Sequence, residues 1–199
     1  MDNGKGQMTA MGPVSKYTEA LKATIDNYLA TNEDVDRSRL YIGGCSNGGY
    51  MTINMMVHYP LFFAAAYPIA ESFVNAEIND DSLQNLSKEA IWFVVSADDT
   101  TVKPVSDYTL DTYVRLLRAG SKNVHLSYYE SVIGEDEPGF RYDGHSSWIY
   151  ALQDRVLYDQ DASSVRTGGV QALTIPSKVP VMLNGKTVSL WGWLAAQKK

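Results

Sequence analysis

The sequence has one cysteine and no long apolar run, and each of these features excludes a class of structure. Its one cysteine, Cys45, excludes an intrachain disulfide. No stretch is long and apolar enough to cross a bilayer, and the segment 1–12 lacks the basic and apolar parts of a signal peptide. The formal net charge of −6 argues against nucleic-acid and anionic-membrane partners. No zinc signature, glycine-rich phosphate loop or dinucleotide-binding fingerprint occurs, so we expect neither a metal nor a cofactor.

Helix and strand patterns alternate along the 199 residues. Helical spacing of apolar residues occupies the segments 14–29, 46–58, 104–119, 147–153 and 190–194. Short apolar runs that predict buried strands occupy 40–44, 62–70, 90–95 and 124–128. Strands separated by helices favour parallel pairing. The chain is therefore predicted to be a single α/β domain with a mostly parallel sheet flanked by helices.

Three segments of this domain have more specific predictions. Residues 1–13 are interpreted as an N-terminal arm. Residues 155–188 are interpreted as an excursion from the alternating pattern of strands and helices, and Asn184-Gly185 within it predicts the turn of a β-hairpin. The first helix is expected to bury one face, formed by Val14, Tyr17, Leu21, Ile25, Tyr28 and Leu29.

The segment Gly44-Cys45-Ser46-Asn47-Gly48 matches the pattern G-x-S-x-G. In that motif a serine lies on a sharp turn from strand to helix, and glycines two residues to either side avoid clashes. Here a buried strand is predicted before the segment and a helix after it. Ser46 is therefore the candidate nucleophile, and the alternative is an ordinary tight turn at a strand end.

A serine hydroxyl needs a neighbouring base to become a good nucleophile, and the chain has three histidines. His58 lies near the far end of the predicted helix, roughly 18 Å from Ser46, and is expected to cap that end. His125 falls inside a predicted strand. His145 follows Gly144 in a polar loop beyond the last strand of the sheet, where functional residues commonly lie. His145 is therefore the candidate base.

The third residue must be a carboxylate that orients the imidazole. Asp98 and Asp99 both follow the strand that ends at Val95. The resulting order along the chain, serine then aspartate then histidine, is that of the α/β-hydrolase fold. Asp143 is too close in sequence to His145 to orient its ring and is expected to be a loop residue. This reasoning leaves Asp98 and Asp99 as alternatives.

Three segments also resemble a known family. Residues 41–51 are similar to the nucleophile elbow of α/β-hydrolase serine esterases, in particular the bacterial prolyl-oligopeptidase-family and feruloyl-esterase-like hydrolases. Residues 97–102 resemble their acid loop, in which the catalytic aspartate comes three positions before a valine, and residues 143–148 resemble their histidine loop.

The resemblance implies specific roles. Asp99 rather than Asp98 would complete a catalytic triad with Ser46 and His145. The backbone N–H of Asn47 would bind the oxyanion, and no cofactor would be needed.

The sequence departs from this family before the elbow. The shared fold has several strands there, whereas one helix and a short arm precede it here. The resemblance therefore implies that the N-terminal part of the fold is missing, together with the loop that carries the second oxyanion N–H. Strand 40–44 would then be an exposed apolar edge. We expect a second copy of the chain, a partner chain or the rearranged arm to cover it.

Four further residues are candidates for substrate contact. Glu71, Ser72 and Phe73 follow the second strand and are expected at the rim of the site. Trp148 lies near the candidate base, where it would either line an aromatic acyl pocket or pack within its helix. The acidic run 135–137 is interpreted as a solvated loop rather than a metal site.

The sequence thus predicts a serine hydrolase that cleaves small carboxylic esters through an acyl-enzyme. Two alternatives stay open. One is a peptidase of the prolyl-oligopeptidase family. The other is an incomplete hydrolase half that serves as an assembly or binding subunit.

Overall fold

Four parallel strands form the central sheet of the protein. A computed structural model describes residues 15–104, 107–135 and 139–199, and the predicted arm and Val14 lie outside them. The sheet order is β1-β2-β3-β4. Its strands are β1 Tyr41–Cys45, β2 Ala65–Ile69, β3 Ile91–Ser96 and β4 Val124–Tyr129. The predicted α/β class with a mostly parallel sheet is confirmed.

Seven α-helices accompany the sheet in the described ranges. They are α1 Thr18–Thr31, α2 Asn47–His58, α3 Asp80–Leu86, α4 Thr109–Arg118, α5 Trp148–Leu152, α6 Ala162–Gly168 and α7 Leu190–Ala196. Among these described helices, none has the length and hydropathy needed to span a membrane.

Strand β3 is buried along its whole length and divides the core in two. Ile91, Phe93 and Val95 belong to one apolar cluster, which also draws on α2 and α4. Trp92 and Val94 belong to a second cluster, which draws on α5 and α7. Because successive side chains of a strand point to opposite faces, the two clusters cover the two faces of the sheet. A parallel sheet buried on both faces is the arrangement that such continuous apolar strands favour.

Helix α1 buries a narrower face than the sequence predicted. Leu21 and Ile25 pack against the first cluster, and Leu29 is buried. In contrast, Tyr17 and Tyr28 are 49% and 58% exposed, so the prediction that they belong to the buried face is wrong. Positions four apart lie above one another on a helix. The contact therefore runs along the line of Leu21, Ile25 and Leu29, and the two tyrosines flank it.

The chain after β4 forms short antiparallel pairs. They are β5 Val132–Ile133 with β6 Arg141–Tyr142, β7 Tyr158–Asp159 with β8 Val179–Pro180, and β9 Met182–Leu183 with β10 Lys186–Thr187. Asn184 and Gly185 connect the last pair with φ angles of 50° and 77°. Two consecutive positive φ angles are what a type I′ hairpin turn requires.

Asp159 connects this C-terminal region to strand β4 through hydrogen bonds. Its carboxylate accepts hydrogen bonds from the backbone N–H groups of Leu126 at 2.8 Å and Gln160 at 2.6 Å. It also contacts Nδ1 of His125 at 2.7 Å, and the Tyr113 hydroxyl donates to it at 3.4 Å. The residue is 8% exposed, so these donors have little access to water.

Replacing Asp159 with alanine should therefore destabilise the fold by about 2–4 kcal/mol, because several buried donors lose their acceptor. Urea unfolding should show a lower midpoint with an unchanged slope. Asp161→Ala is the matched control, since Asp161 is an exposed N-cap of α6 whose removal should cost distinctly less stability than that of Asp159. Equal losses in the two variants would contradict the anchoring role of Asp159.

Candidate active site

The candidate residues lie where the parallel strands end. The carboxyl ends of parallel strands share one edge of a sheet, and open α/β sheets bind their ligands there. Ser46 follows β1 directly, Glu71 comes shortly after β2, and Asp99 comes shortly after β3. The strand order places β2 between β1 and β3, so Glu71 lies between the other two along that edge.

Ser46 has a strained backbone at the junction of β1 and α2. Its φ is 57° and its ψ is −115°, a region that residues other than glycine rarely occupy. The Ser46 N–H donates to the carbonyl of Ile69 at 2.9 Å, and the Ser46 carbonyl accepts from the N–H of Tyr50 at 2.9 Å. The serine is thus held at the turn by the neighbouring strand on one side and by the helix on the other.

The glycines around Ser46 permit a close approach of strand and helix. A Cβ at Gly44 would lie 2.8 Å from the Cα of Gly48, and a Cβ at Gly49 would lie 2.7 Å from the carbonyl oxygen of Ile69. Neither contact is sterically possible, so the sharp turn depends on glycine at these positions. Asn47 is the first residue of α2, and an N–H in the first turn of a helix has no intrahelical acceptor.

Asp99 and His145 are joined by a hydrogen bond. His145 Nδ1 and Asp99 Oδ2 are 2.9 Å apart. The other carboxylate oxygen, Oδ1, accepts from the backbone N–H groups of Thr101 and Val102, each at 2.8 Å. Asp99 is almost fully buried at 3% exposure. Its orientation is therefore fixed by its own loop, and one oxygen is left to face the imidazole.

Asp98, the alternative carboxylate, faces a different partner. Its side chain accepts from Ser96 and from the guanidinium of Arg141. Burial raises the pKa of Asp98, but the hydrogen bonds from Ser96 and Arg141 outweigh that effect and hold the pKa below its usual value. The geometry therefore brings Asp99, rather than Asp98, against His145.

The other histidines are occupied elsewhere, and Asp143 serves its own loop. His58 Nδ1 contacts the Asn54 carbonyl one turn back in α2 at 2.8 Å. His125 is bound to Asp159, as described above. Asp143 accepts from the His145 N–H at 2.8 Å and caps the 3₁₀ turn Gly144–Ser146.

Trp148 lies beside His145 and next to an apolar groove. The two rings are 5.7 Å apart at 87°, which is an edge-to-face contact. The groove has a volume of about 210 Å³ and is lined by Gly44, Cys45, Tyr67, Ile69, Trp148, Ala151, Leu152 and Trp191. The sequence left a pocket role and a packing role open for Trp148, and its position is compatible with either.

Glu71, Ser72 and Phe73 are buried, with exposures of 1%, 2% and 1%. The Glu71 carboxylate accepts from the Phe73 N–H at 2.7 Å and from the Thr109 hydroxyl at 2.9 Å. Its Cβ lies against Gly49 at the start of α2. Contact of these three side chains with a substrate stays a prediction, and Glu71 has a visible role in joining β2 to α4.

The titration of the buried Glu71 carboxyl should be visible in the pH dependence of the free energy of unfolding. Burial raises its pKa to about 7, although the bonds from Phe73 and Thr109 oppose this. A carboxyl with a higher pKa in the folded than in the unfolded chain binds more protons when folded. Stability should therefore fall as the pH rises from about 4.5 to about 7. Glu71→Gln should have little effect on stability near pH 5 and should stabilise the fold by ~1–3 kcal/mol at pH 8.

Chemical denaturation at the two pH values tests this expectation. Glu77→Gln is the control, because Glu77 is exposed in a 3₁₀ turn near Glu71. An equal loss of stability at both pH values in Glu71→Gln would contradict the titration of the buried carboxyl.

The described residues contain no group of three or more His, Cys, Asp and Glu side chains that could hold a metal ion. Sequence reasoning assigned no role to Arg141, although it contacts the acid loop. No local pattern could have revealed this, because the contact joins positions 43 residues apart.

Comparison with known proteins finds similarity to esterases and peptidases. Residues 16–109 match the prolyl oligopeptidase family. A stretch of 51 residues, 26% of this chain and 12% of the relative, is 45% identical to the poly(3-hydroxyalkanoate) depolymerase C of Paucimonas lemoignei.

Solved structures give a similar result. A thermostable esterase is 28% identical with a TM-score of 0.55, and the match covers 68% of this chain and 34% of the esterase. An acylaminoacyl peptidase in complex with Z-Gly-Gly-Phe-chloromethyl ketone has a TM-score of 0.50 at 19% identity, covering 68% of this chain and 26% of the peptidase. The second match concerns the fold alone. The chain therefore spans about a third or less of the length of each of these relatives.

Proposed function

We propose that the chain is a serine hydrolase of the α/β-hydrolase type that cleaves carboxylic esters, since it is similar to the prolyl oligopeptidase family over residues 16–109 and to a thermostable esterase. Ser46 is the nucleophile, His145 the general base and Asp99 the residue that orients the imidazole. One observation carries the proposal: the 2.9 Å contact between His145 Nδ1 and Asp99 Oδ2, on the same edge of the sheet as a serine with strained backbone.

The chemistry proceeds in two half-reactions. Ser46 Oγ attacks the ester carbonyl while Nε2 of His145 takes its proton, and that proton then passes to the departing alcohol. The resulting acyl group is bonded to Ser46. Water, deprotonated by the same imidazole, attacks this acyl-enzyme and releases the carboxylic acid and the free serine. Asp99 holds the proton on Nδ1, so that Nε2 is free to act as the base.

The oxyanion that forms in each half-reaction needs donors close by. The Asn47 N–H is the donor that this chain supplies, because it lies directly after the nucleophile at the start of α2. Loss of one donor from such a site typically lowers the rate on the order of 100-fold or more. A second N–H donor beside that of Asn47 would raise the rate by a comparable factor.

An ester substrate is favoured over a peptide. A structural match at 28% identity is to an esterase, and the matched stretch of 51 residues comes from a poly(3-hydroxyalkanoate) depolymerase. The match to the prolyl oligopeptidase family keeps a peptidase activity as the alternative. The two are separated by comparing p-nitrophenyl acetate and butyrate with a peptide p-nitroanilide, and a 3-hydroxybutyrate dimer ester tests the polyester class.

A fluorophosphonate probe tests the nucleophile directly. The pure chain should react covalently, and peptide mass spectrometry should locate the phosphonyl group on Ser46. Ester hydrolysis should be lost in step with labelling. A chain that hydrolyses no ester and is not labelled would contradict the proposed function, and labelling of another serine would contradict the assignment of the nucleophile.

The open edge of β1 supports a second candidate, a hydrolase half that works with another polypeptide chain. Within the described residues, β1 pairs only with β2, and all five of its residues are half-buried. The apolar groove adjoins the carboxyl end of this strand, and Leu152 at its border is 76% exposed. Unpaired edges of this kind favour association, in the first place with a second copy of the chain. Sedimentation equilibrium tests this, since a monomer with full activity at every concentration would exclude it.

A further inference from the structure

The loop that carries His145 rests directly on the loop that carries Asp99. A Cβ at Gly144 would lie only 2.4 Å from the carbonyl carbon of Asp98 and from the backbone nitrogen of Asp99. The two loops therefore touch through their backbones. A small displacement of one loop against the other would alter the hydrogen bond between the two side chains.

Arg141 spans the same junction from the solvent side. Its Nε and Nη2 donate to Oδ2 of Asp98 at 3.1 and 2.7 Å. The other oxygen of Asp98, Oδ1, accepts from Ser96 Oγ at 2.5 Å. Ser96 is the last residue of β3, and Arg141 is the first residue of β6. The chain of contacts Ser96–Asp98–Arg141 thus joins the end of the sheet, the acid loop and the start of the histidine loop.

We propose that Arg141 is a positioning residue, which holds His145 against Asp99 through its ion pair with Asp98. The inference rests on the proposed function, because it assigns Arg141 a part in aligning the proposed base. Catalytic groups work only within narrow limits of position, and a misplacement of about 1 Å can lower the rate on the order of 100-fold.

The Arg141–Asp98 ion pair is exposed to solvent, so a role in positioning His145 can be distinguished from a contribution to the stability of the whole fold. The side chains of Arg141 and Asp98 are 61% and 23% exposed. An ion pair with that much access to water contributes little to folding. Its loss should therefore leave the fold intact and should act locally, on the alignment of the two loops.

The test compares Arg141→Gln, Asp98→Asn, the double variant and the conservative Arg141→Lys. Each single neutral variant should lower kcat for p-nitrophenyl butyrate by ~2- to 5-fold, because a contact this exposed can shift the alignment only by about its own free energy, with KM nearly unchanged. Arg141→Lys should recover part of kcat. The double variant should be no worse than the poorer single variant, since both substitutions remove the same contact.

The control is Lys22→Gln on α1, which removes another ion pair of 2.7 Å, between Lys22 and Asp26. It should leave kcat unchanged. All variants should unfold within a few degrees of the parent chain. Unchanged kcat in both Arg141→Gln and Asp98→Asn, or a loss that follows the loss of thermal stability, would overturn the proposal.

A second measurement does not depend on turnover. The proton on His145 Nδ1 should give a downfield NMR resonance through its bond to Asp99, and this signal should weaken or shift in Arg141→Gln and persist in Lys22→Gln. If the parent chain hydrolyses no ester, the proposed function fails while this resonance still tests the positioning role. A resonance unaffected by Arg141→Gln would overturn that role on its own.

Discussion

Ser46→Ala is expected to lower kcat for p-nitrophenyl ester hydrolysis on the order of 10⁴-fold or more, because no acyl-enzyme can form without the hydroxyl. The variant should fold normally, since alanine meets the same backbone strain at φ 57° as serine does. The Ser46 N–H and carbonyl keep their bonds to Ile69 and Tyr50. A stopped-flow or plate assay with p-nitrophenyl butyrate gives the rate, and a thermal melt confirms the fold.

Ser164→Ala is the matched control for this loss. Ser164 is an exposed serine in α6, and its removal should leave the rate of hydrolysis unchanged. Retained turnover in Ser46→Ala would show that the ester is cleaved by another group. Loss of turnover in both variants would point to an effect on folding rather than on chemistry.

The parts of the site that the sequence predicted are those with a local pattern. The motif predicts that Gly44 and Gly48 avoid clashes at the sharp turn. Gly44 has no room for a Cβ, whereas a Cβ at Gly48 would meet no atom within 4 Å, and Gly49 is the second position without room. The resemblance to α/β-hydrolase esterases is confirmed by the family and structure matches. The choice of Asp99 over Asp98 came from the resemblance, and the contact with His145 agrees with it.

The parts that the sequence did not predict depend on contacts between distant positions. Of the predicted helix 104–119, the structure shows α4 from Thr109, and the carbonyl of Asp107 just before it accepts from the N–H of Asn75 rather than from a residue of that helix. Likewise, nothing local indicates that Glu71 would be buried, because its partner Thr109 is 38 positions away. Apolar periodicity locates elements but does not report such pairings.

Asp99→Asn is expected to lower kcat by ~10⁴-fold while leaving the fold almost unchanged. Asparagine keeps an oxygen that can accept from the N–H groups of Thr101 and Val102, as Asp99 Oδ1 does at 2.8 Å. Its amide nitrogen would then replace Oδ2, opposite Nδ1 of His145. Two N–H donors cannot face each other, so the imidazole would carry its proton on Nε2 instead. In that tautomer Nε2 of His145 already carries a proton and cannot accept one from a nucleophile.

The comparison with Asp98→Asn makes this expectation decisive. Both variants remove one negative charge from the same loop. They therefore have the same net charge, and the long-range electrostatic effect of that charge on the site is lost equally in both. They differ in that Asp99 faces the imidazole, whereas Asp98 faces Arg141. The rate should therefore fall by ~10⁴-fold in Asp99→Asn and by only ~2- to 5-fold in Asp98→Asn. The reverse order would identify Asp98 as the residue that orients His145, and equal losses would show that the charge of the loop, rather than the tautomer of the histidine, limits the reaction.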